Sequence, residues 1–145
     1  SVVVRGYLLF SIICHYIITL MNELLYKNET YTLIGLCMEV HKALGFGFSE
    51  IVYKDALEIE ALLNEVPFMR EKQYDIVYKG RKLKRKYFAD FVVFDQIILE
   101  IKSSGDGIID DHISQTLNYL KVSHCRIGLI INFGKKSLEH KRLIL

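Results

Sequence analysis

The amino-acid sequence predicts one α/β domain, a mixed sheet flanked by helices, and three observations carry that expectation. At 145 residues the chain fits a single core that buries roughly 68% of its unfolded surface without staples. Apolar positions follow a helical period up to Pro67, then alternate as in strands, then return to one more helix and strand, the order ααβββαβ. No internal repeat or low-complexity linker interrupts that order. With 51% hydrophobic and 25% charged residues, the composition excludes a disordered, collagen-like or polytopic membrane chain.

The first twenty residues stand apart. From Tyr7 to Leu20 eleven of fourteen residues are apolar, interrupted by Ser11, His15 and Thr19 and preceded by Arg5. A spanning helix needs ~20 apolar residues and a signal peptide needs a small-residue cleavage site, so neither pattern is complete. Because the chain opens at Ser1 and Met21 begins a stretch of different character, residues 1–20 are expected to be an extension from a start placed too early. A membrane anchor and a buried extra element are the alternatives. The domain itself is expected at 21–145.

Within it, Leu33, Cys37, Val40 and Leu44 share one face of a helix from about Glu29 to Leu44, and Gly45 stops it. Ser49 is a candidate N-cap for a second helix with Val52, Ala56, Ile59 and Leu63 as its buried stripe before Pro67. Tyr74, Ile76 and Tyr78 then alternate with polar residues, Lys79-Gly80 is turn-like, and a strand runs from about Leu83 to Phe94. Asp95-Gln96 makes a tight turn into a third strand, Ile97 to Lys102. Gly105 and Gly107 punctuate a loop, Asp110 or Asp111 caps a third helix with Ile113, Leu117 and Leu120 inward, and Ile127 to Phe133 forms the next strand. Leu138 to Leu145 closes the chain as an edge strand or short helix.

Cys14, Cys37 and Cys125 lie at wide spacings with no CxxC pair, and are expected to be reduced, buried thiols of a cytoplasmic protein. His124 beside Cys125 is a weak metal candidate, because neighbours on a strand point to opposite faces. The net charge of +2 says little, but its distribution says more. Six of the eight residues from Lys79 to Lys86 are basic, which leaves the other 137 with a net charge of −4.

Chemistry concentrates in the third strand. Glu100 and Lys102 are two apart, so the pleat puts both on one face inside the apolar run IILEIK. Composition alone yields about one Glu-x-Lys match by chance, and Glu139-His140-Lys141 is a second. The first gains weight from Asp90, an acid in another apolar strand, YFADFVVF. A short hairpin brings the two carboxylates to opposite or diagonal positions, within reach of one cation. Paired carboxylates repel unless a proton or metal neutralises them, and hard oxygen ligands suit Mg²⁺ or Mn²⁺. A lysine alongside can orient water and offset charge on a phosphate in the transition state. Metal, carboxylates and lysine together are what phosphodiester hydrolysis requires.

Asp90 followed by Glu100-Ile101-Lys102 resembles the core motif of the PD-(D/E)XK nuclease superfamily. Gly47-Phe-Ser-Glu50-Ile-Val-Tyr53 resembles the signature of its GxxExxY branch. The similarity runs from about Leu33 to Leu145. It includes Val40 to Gly45, Tyr78-Lys79-Gly80, the stretch Gln115 to Lys121 and Ile131-Asn-Phe-Gly134. It implies a restriction-endonuclease-like fold, a divalent metal on Asp90 and Glu100, a catalytic Lys102, and an additional acid from Glu50. Gln115 and Tyr119 would correspond to the Q-x-x-x-Y motif of RecB-like exonucleases. Ala89 stands where the superfamily name has proline, a position of backbone shape rather than chemistry.

The residues themselves leave blander alternatives open. Gln115 and Tyr119 share a helix face with His112, which a solvated surface also explains. Glu50 in a first helical turn suits the helix dipole. Lys79, Arg81, Lys82, Lys84, Arg85 and Lys86 can bind phosphates without reading bases, or merely guard a hairpin edge. No helix-turn-helix or zinc-finger pattern supports sequence-specific recognition. The expectation is a metal-dependent nuclease acting on nucleic acid, DNA first, with Mg²⁺ or Mn²⁺. A non-catalytic binding module of the same fold is the alternative. The 125 residues from Met21 leave little surface for substrate capture, so a homodimer or larger complex is expected too.

Overall fold

A computed structural model describes residues 1–145. Helix α1 (Val2–Leu24) is followed by α2 (Lys27–Leu44), α3 (Glu50–Leu63), β1 (Phe68–Tyr78), β2 (Arg81–Val93), β3 (Ile97–Lys102), α4 (Asp110–Ser123), β4 (Ile127–Asn132) and β5 (Glu139–Ile144). The five strands form one sheet in sequence order. Only β3 and β4 run parallel, joined by the α4 crossover; the other neighbours are antiparallel. The expected α/β class with a mixed sheet is therefore present, and the last segment is an edge strand.

Both faces of the sheet are covered, so β3 (IILEIK) and β4 (IGLIIN) are buried almost throughout, as parallel strands between helix layers must be. On one face Leu33, Cys37 and Val40 of α2 and Tyr53, Leu57 and Ala61 of α3 pack on Phe91, Leu99, Ile101, Leu129 and Ile131. On the other, Leu120 of α4 packs with Tyr87, Ala89, Ile98 and Ile130, and Ile113 and Leu117 line its margin. Gly128 lets α4 approach, since an added Cβ would stand 2.8 Å from Thr116 Cγ2.

Several expectations shift. The buried stripe of α3 is Tyr53, Lys54, Leu57 and Ala61, while Ile59 and Leu63 are exposed. The Tyr53 ring, stacked on Phe133 at 4.4 Å, turns the helix one residue from the face that hydropathy suggests. Strand β1 starts at Phe68, ahead of the alternating segment, and Arg70 and Glu71 in its first half pair with Asp55, Glu58 and Lys54 of α3. The turn into β3 takes in Phe94 beside the expected Asp95 and Gln96, with Phe94 and Asp95 left-handed at φ 53° and 58°. Ile109, not an aspartate, occupies the N-cap of α4; His112 Nδ1 accepts from its backbone N–H at 3.3 Å, and Asp110 and Asp111 sit in the first turn. All three cysteines are free; Cys37 and Cys125 are buried, whereas Cys14 is only half-buried.

Helix α1 buries none of its residues. Its length and composition are those of a membrane-crossing helix, with a mean hydropathy of 1.7 over an 18-residue window. Ser1 caps it, its Oγ accepting from Val4 N at 3.3 Å. Arg142 fastens its far end by donating to the carbonyl oxygens of Asn22 (3.0 Å) and Leu25.

Candidate active site

The site forms where β2 and β3 separate. Their antiparallel pairing runs from Val93–Ile97 to Phe91–Leu99 and stops, while β2 stays paired with β1 and β3 with β4. Continued by one residue, that register places Asp90 opposite Glu100. Ile101 N–H, which would otherwise lose its partner there, donates to Asp90 Oδ2 at 2.8 Å. A side chain thus closes the ladder, and the closure fixes where the carboxylate points.

Glu100 is 6% exposed, and its Oε1 accepts a hydrogen bond from the Tyr87 hydroxyl. Burial first, then repulsion from Asp90, push its carboxyl up to about 8; the Tyr87 hydroxyl and the positive charge of Lys102 oppose the rise. Lys102 is half-buried and follows Glu100 on the same face of β3, paired in register with Asn132. Tyr119 of α4 stacks on Tyr87 at 3.7 Å between ring centroids, and Tyr74 of β1 stacks with Tyr87 at 5.8 Å. Burial and the two carboxylates raise the Tyr119 phenol above its ordinary value, and burial raises that of Tyr87 still further.

Asp90, Glu100, Lys102 and Tyr119 are therefore neighbours. Glu50 and Gln115 are not drawn in: both are exposed and neither makes a hydrogen bond or ion pair. Glu50 begins α3, where it lines an open depression of about 480 Å³ with Ser49, Ile51 and Lys54. The basic segment spans the exposed β1–β2 turn. Lys82 and Lys86 pair with Asp75, and Lys79 Nζ stands over the Tyr78 ring at 5.5 Å, while Arg81, Lys84 and Arg85 make no ion pair.

Three residues escaped the sequence reading. Lys54, 8% exposed on α3, donates to Asp90 Oδ1 at 2.9 Å and pairs with Glu71 of β1. Glu71 turns to the same side as Arg70 through a left-handed φ of 54°, an irregularity that strand alternation does not announce. Tyr87 escaped as well, although its place three residues before Asp90 in an apolar strand was visible.

A family model described as the PD-(D/E)XK nuclease superfamily matches residues 27–143, most of the chain. The chain belongs to the PD-(D/E)XK nuclease superfamily. The solved structure of SSO0001 is similar in fold, with a TM-score of 0.53, 20% sequence identity and 84% of this chain covered. This chain spans 61% of the length of SSO0001. No curated protein matches the sequence.

Members of the superfamily are typically metal-dependent, and the donor set can be tested against that. No three His, Cys, Asp or Glu side chains are grouped closely enough to hold a metal by themselves. Mg²⁺ needs fewer, since it is commonly held by one or two carboxylates with water and phosphate oxygens. The Asp90–Glu100 pair is of that kind, and its mutual repulsion is what a cation would relieve. The residues present fit a two-carboxylate site.

Proposed function

We propose that this superfamily member, in its GxxExxY branch by the spacing of Gly47, Glu50 and Tyr53, is a metal-dependent nuclease that hydrolyses phosphodiester bonds of nucleic acid. The observation that carries this is the meeting of Asp90 and Glu100 across the parting strands, with Lys102 on the Glu100 face. Asp90 and Glu100 would hold the divalent cation. When bound, it would acidify a water and neutralise phosphate charge. Lys102, whose positive charge acts on Glu100, would orient that water or meet the charge that builds on the phosphate. Tyr119 forms a wall of the site through Tyr87, and Glu50, at the rim of the depression beside Lys54, would enter only as substrate closes around it. Lys79, Arg81, Lys82, Lys84, Arg85 and Lys86 would grip phosphates, with Arg81, Lys84 and Arg85 free of internal partners.

The test is cleavage of labelled single- and double-stranded DNA and RNA by the full chain with Mg²⁺ or Mn²⁺, beside an EDTA control. Glu100→Ala is expected to lose both metal binding and cutting. Lys102→Ala is expected to keep metal binding and lose turnover by about 10²–10³-fold. Full activity in Lys102→Ala would remove the lysine from the mechanism. One observation favours a second reading, a non-catalytic nucleic-acid-binding module. Asp90 has both oxygens engaged by Lys54 and Ile101 N–H. A folded, metal-binding protein that cuts none of the four substrates would support it.

A further inference from the structure

Lys54 is the buried charge that the proposed chemistry does not use. Its ammonium lies at the junction of three elements, 2.9 Å from Asp90 Oδ1 and in contact with Glu71 Oε1. A lysine so nearly enclosed stays charged only among anions, and it has two, one on each neighbouring strand. The two anions differ. Asp90 is held in place by Ile101 N–H, whereas Glu71 has a side chain about half exposed (48%) and meets Lys54 from a left-handed backbone position. Lys54 also lines the open depression beside Glu50. Nor does α3 need Lys54 as a clamp, because Arg70 binds Asp55 and Glu58 of the same helix at 2.7 Å each.

We propose that Lys54 is a resident counter-cation of Asp90 that an incoming divalent ion must displace, and that Glu71 is the acceptor that retains it. This rests on the reading of Asp90 as a metal ligand. Lys54 is then a positioning residue. It keeps the site assembled and charge-balanced without metal, and it lowers affinity by the work of moving its charge off Asp90.

Mn²⁺ titrated calorimetrically into the full chain tests this, with melting curves to establish folding. The wild type is expected to bind one ion through Asp90 and Glu100. Lys54→Met, close in length but uncharged, is expected to bind about tenfold more tightly, the size of effect one neighbouring charge has on a carboxylate. Lys54→Arg keeps the charge and is expected to remain as weak as the wild type. Glu71→Gln removes the acceptor and is expected to weaken binding in the wild-type background but not in Lys54→Met. Weaker or unchanged binding by Lys54→Met overturns the proposal. Should that variant fail to fold, unweakened binding by Glu71→Gln overturns it alone. A wild type that binds no Mn²⁺ overturns the metal reading itself, and this inference with it.

Discussion

Glu100 is an acid sealed under a tyrosine stack, and its proton has a thermodynamic signature. Its carboxyl is raised from an ordinary 4.5 to about 8, so between those values the folded chain binds a proton that the unfolded chain releases. The stability this group contributes is complete below about pH 4.5 and is lost as pH rises through about 8. Glu100→Gln, always neutral and still able to accept from Tyr87, is expected to flatten that loss. Melting temperatures of both proteins from about pH 5 to about pH 9 check it, and parallel profiles would show that Glu100 does not titrate there. Tyr87→Phe removes the hydroxyl that donates to Glu100 while leaving the ring stacked with Tyr74 and Tyr119. It is expected to destabilise by about 1–3 kcal/mol in urea unfolding, the cost of a buried acceptor left alone. Asp90, Glu100 and Lys102 were legible as residues because strand alternation and a short turn bring them together. Lys54 was not, since its role depends on the rotation of α3 and on one left-handed residue in another strand.

At the scale of elements, the strands were more legible than the helix faces. The third strand stands where alternation and turn residues place it, because both of its faces are buried and its ends are set by turns. The face of α3 was misread because hydropathy ranks Ile59 and Leu63 above Tyr53 and Lys54. The fold uses Tyr53 as a strut: its hydroxyl donates to Gly45 O at 2.7 Å and accepts from Phe48 N, spanning the loop between α2 and α3. A second closure joins the ends of β3 and β4. Asn132 donates to Ser104 O at 2.9 Å and accepts from Ser104 N at 2.8 Å, and Gly134 lies against the same backbone. A Cβ at Gly134 would stand 2.3 Å from Ser104 N, so Gly134→Ala must move one strand end. It is expected to lose about 1–3 kcal/mol of stability by urea unfolding, as overpacking does. Wild-type stability in this variant would mean that the loop yields freely.

At the scale of the molecule, α1 and the domain are joined with little shared surface. Since α1 buries nothing, removing residues 1–20 is expected to leave the melting temperature within about 2 °C, well under the shift that a loss of 1 kcal/mol would give. A larger drop would reveal packing on α1 that these contacts do not show. The apolar character of the first twenty residues was readable from composition, but the continuous helix from Val2 through Met21 to Leu24 was not, because Ser11, His15 and Thr19 interrupt its apolar run. The β1–β2 hairpin carries the basic turn at its tip, and β2 connects it to the carboxylates as one continuous strand. From Arg81 to Asp90 nine residues at ~3.3 Å each give a span of at most about 30 Å. The strand is thus a ruler. If the proposed function holds, a duplex held by phosphates at the tip and broken at Asp90 would span up to that distance, about nine base pairs at 3.4 Å each. Oligonucleotides much shorter than this would meet the carboxylates or the basic tip, but not both at once.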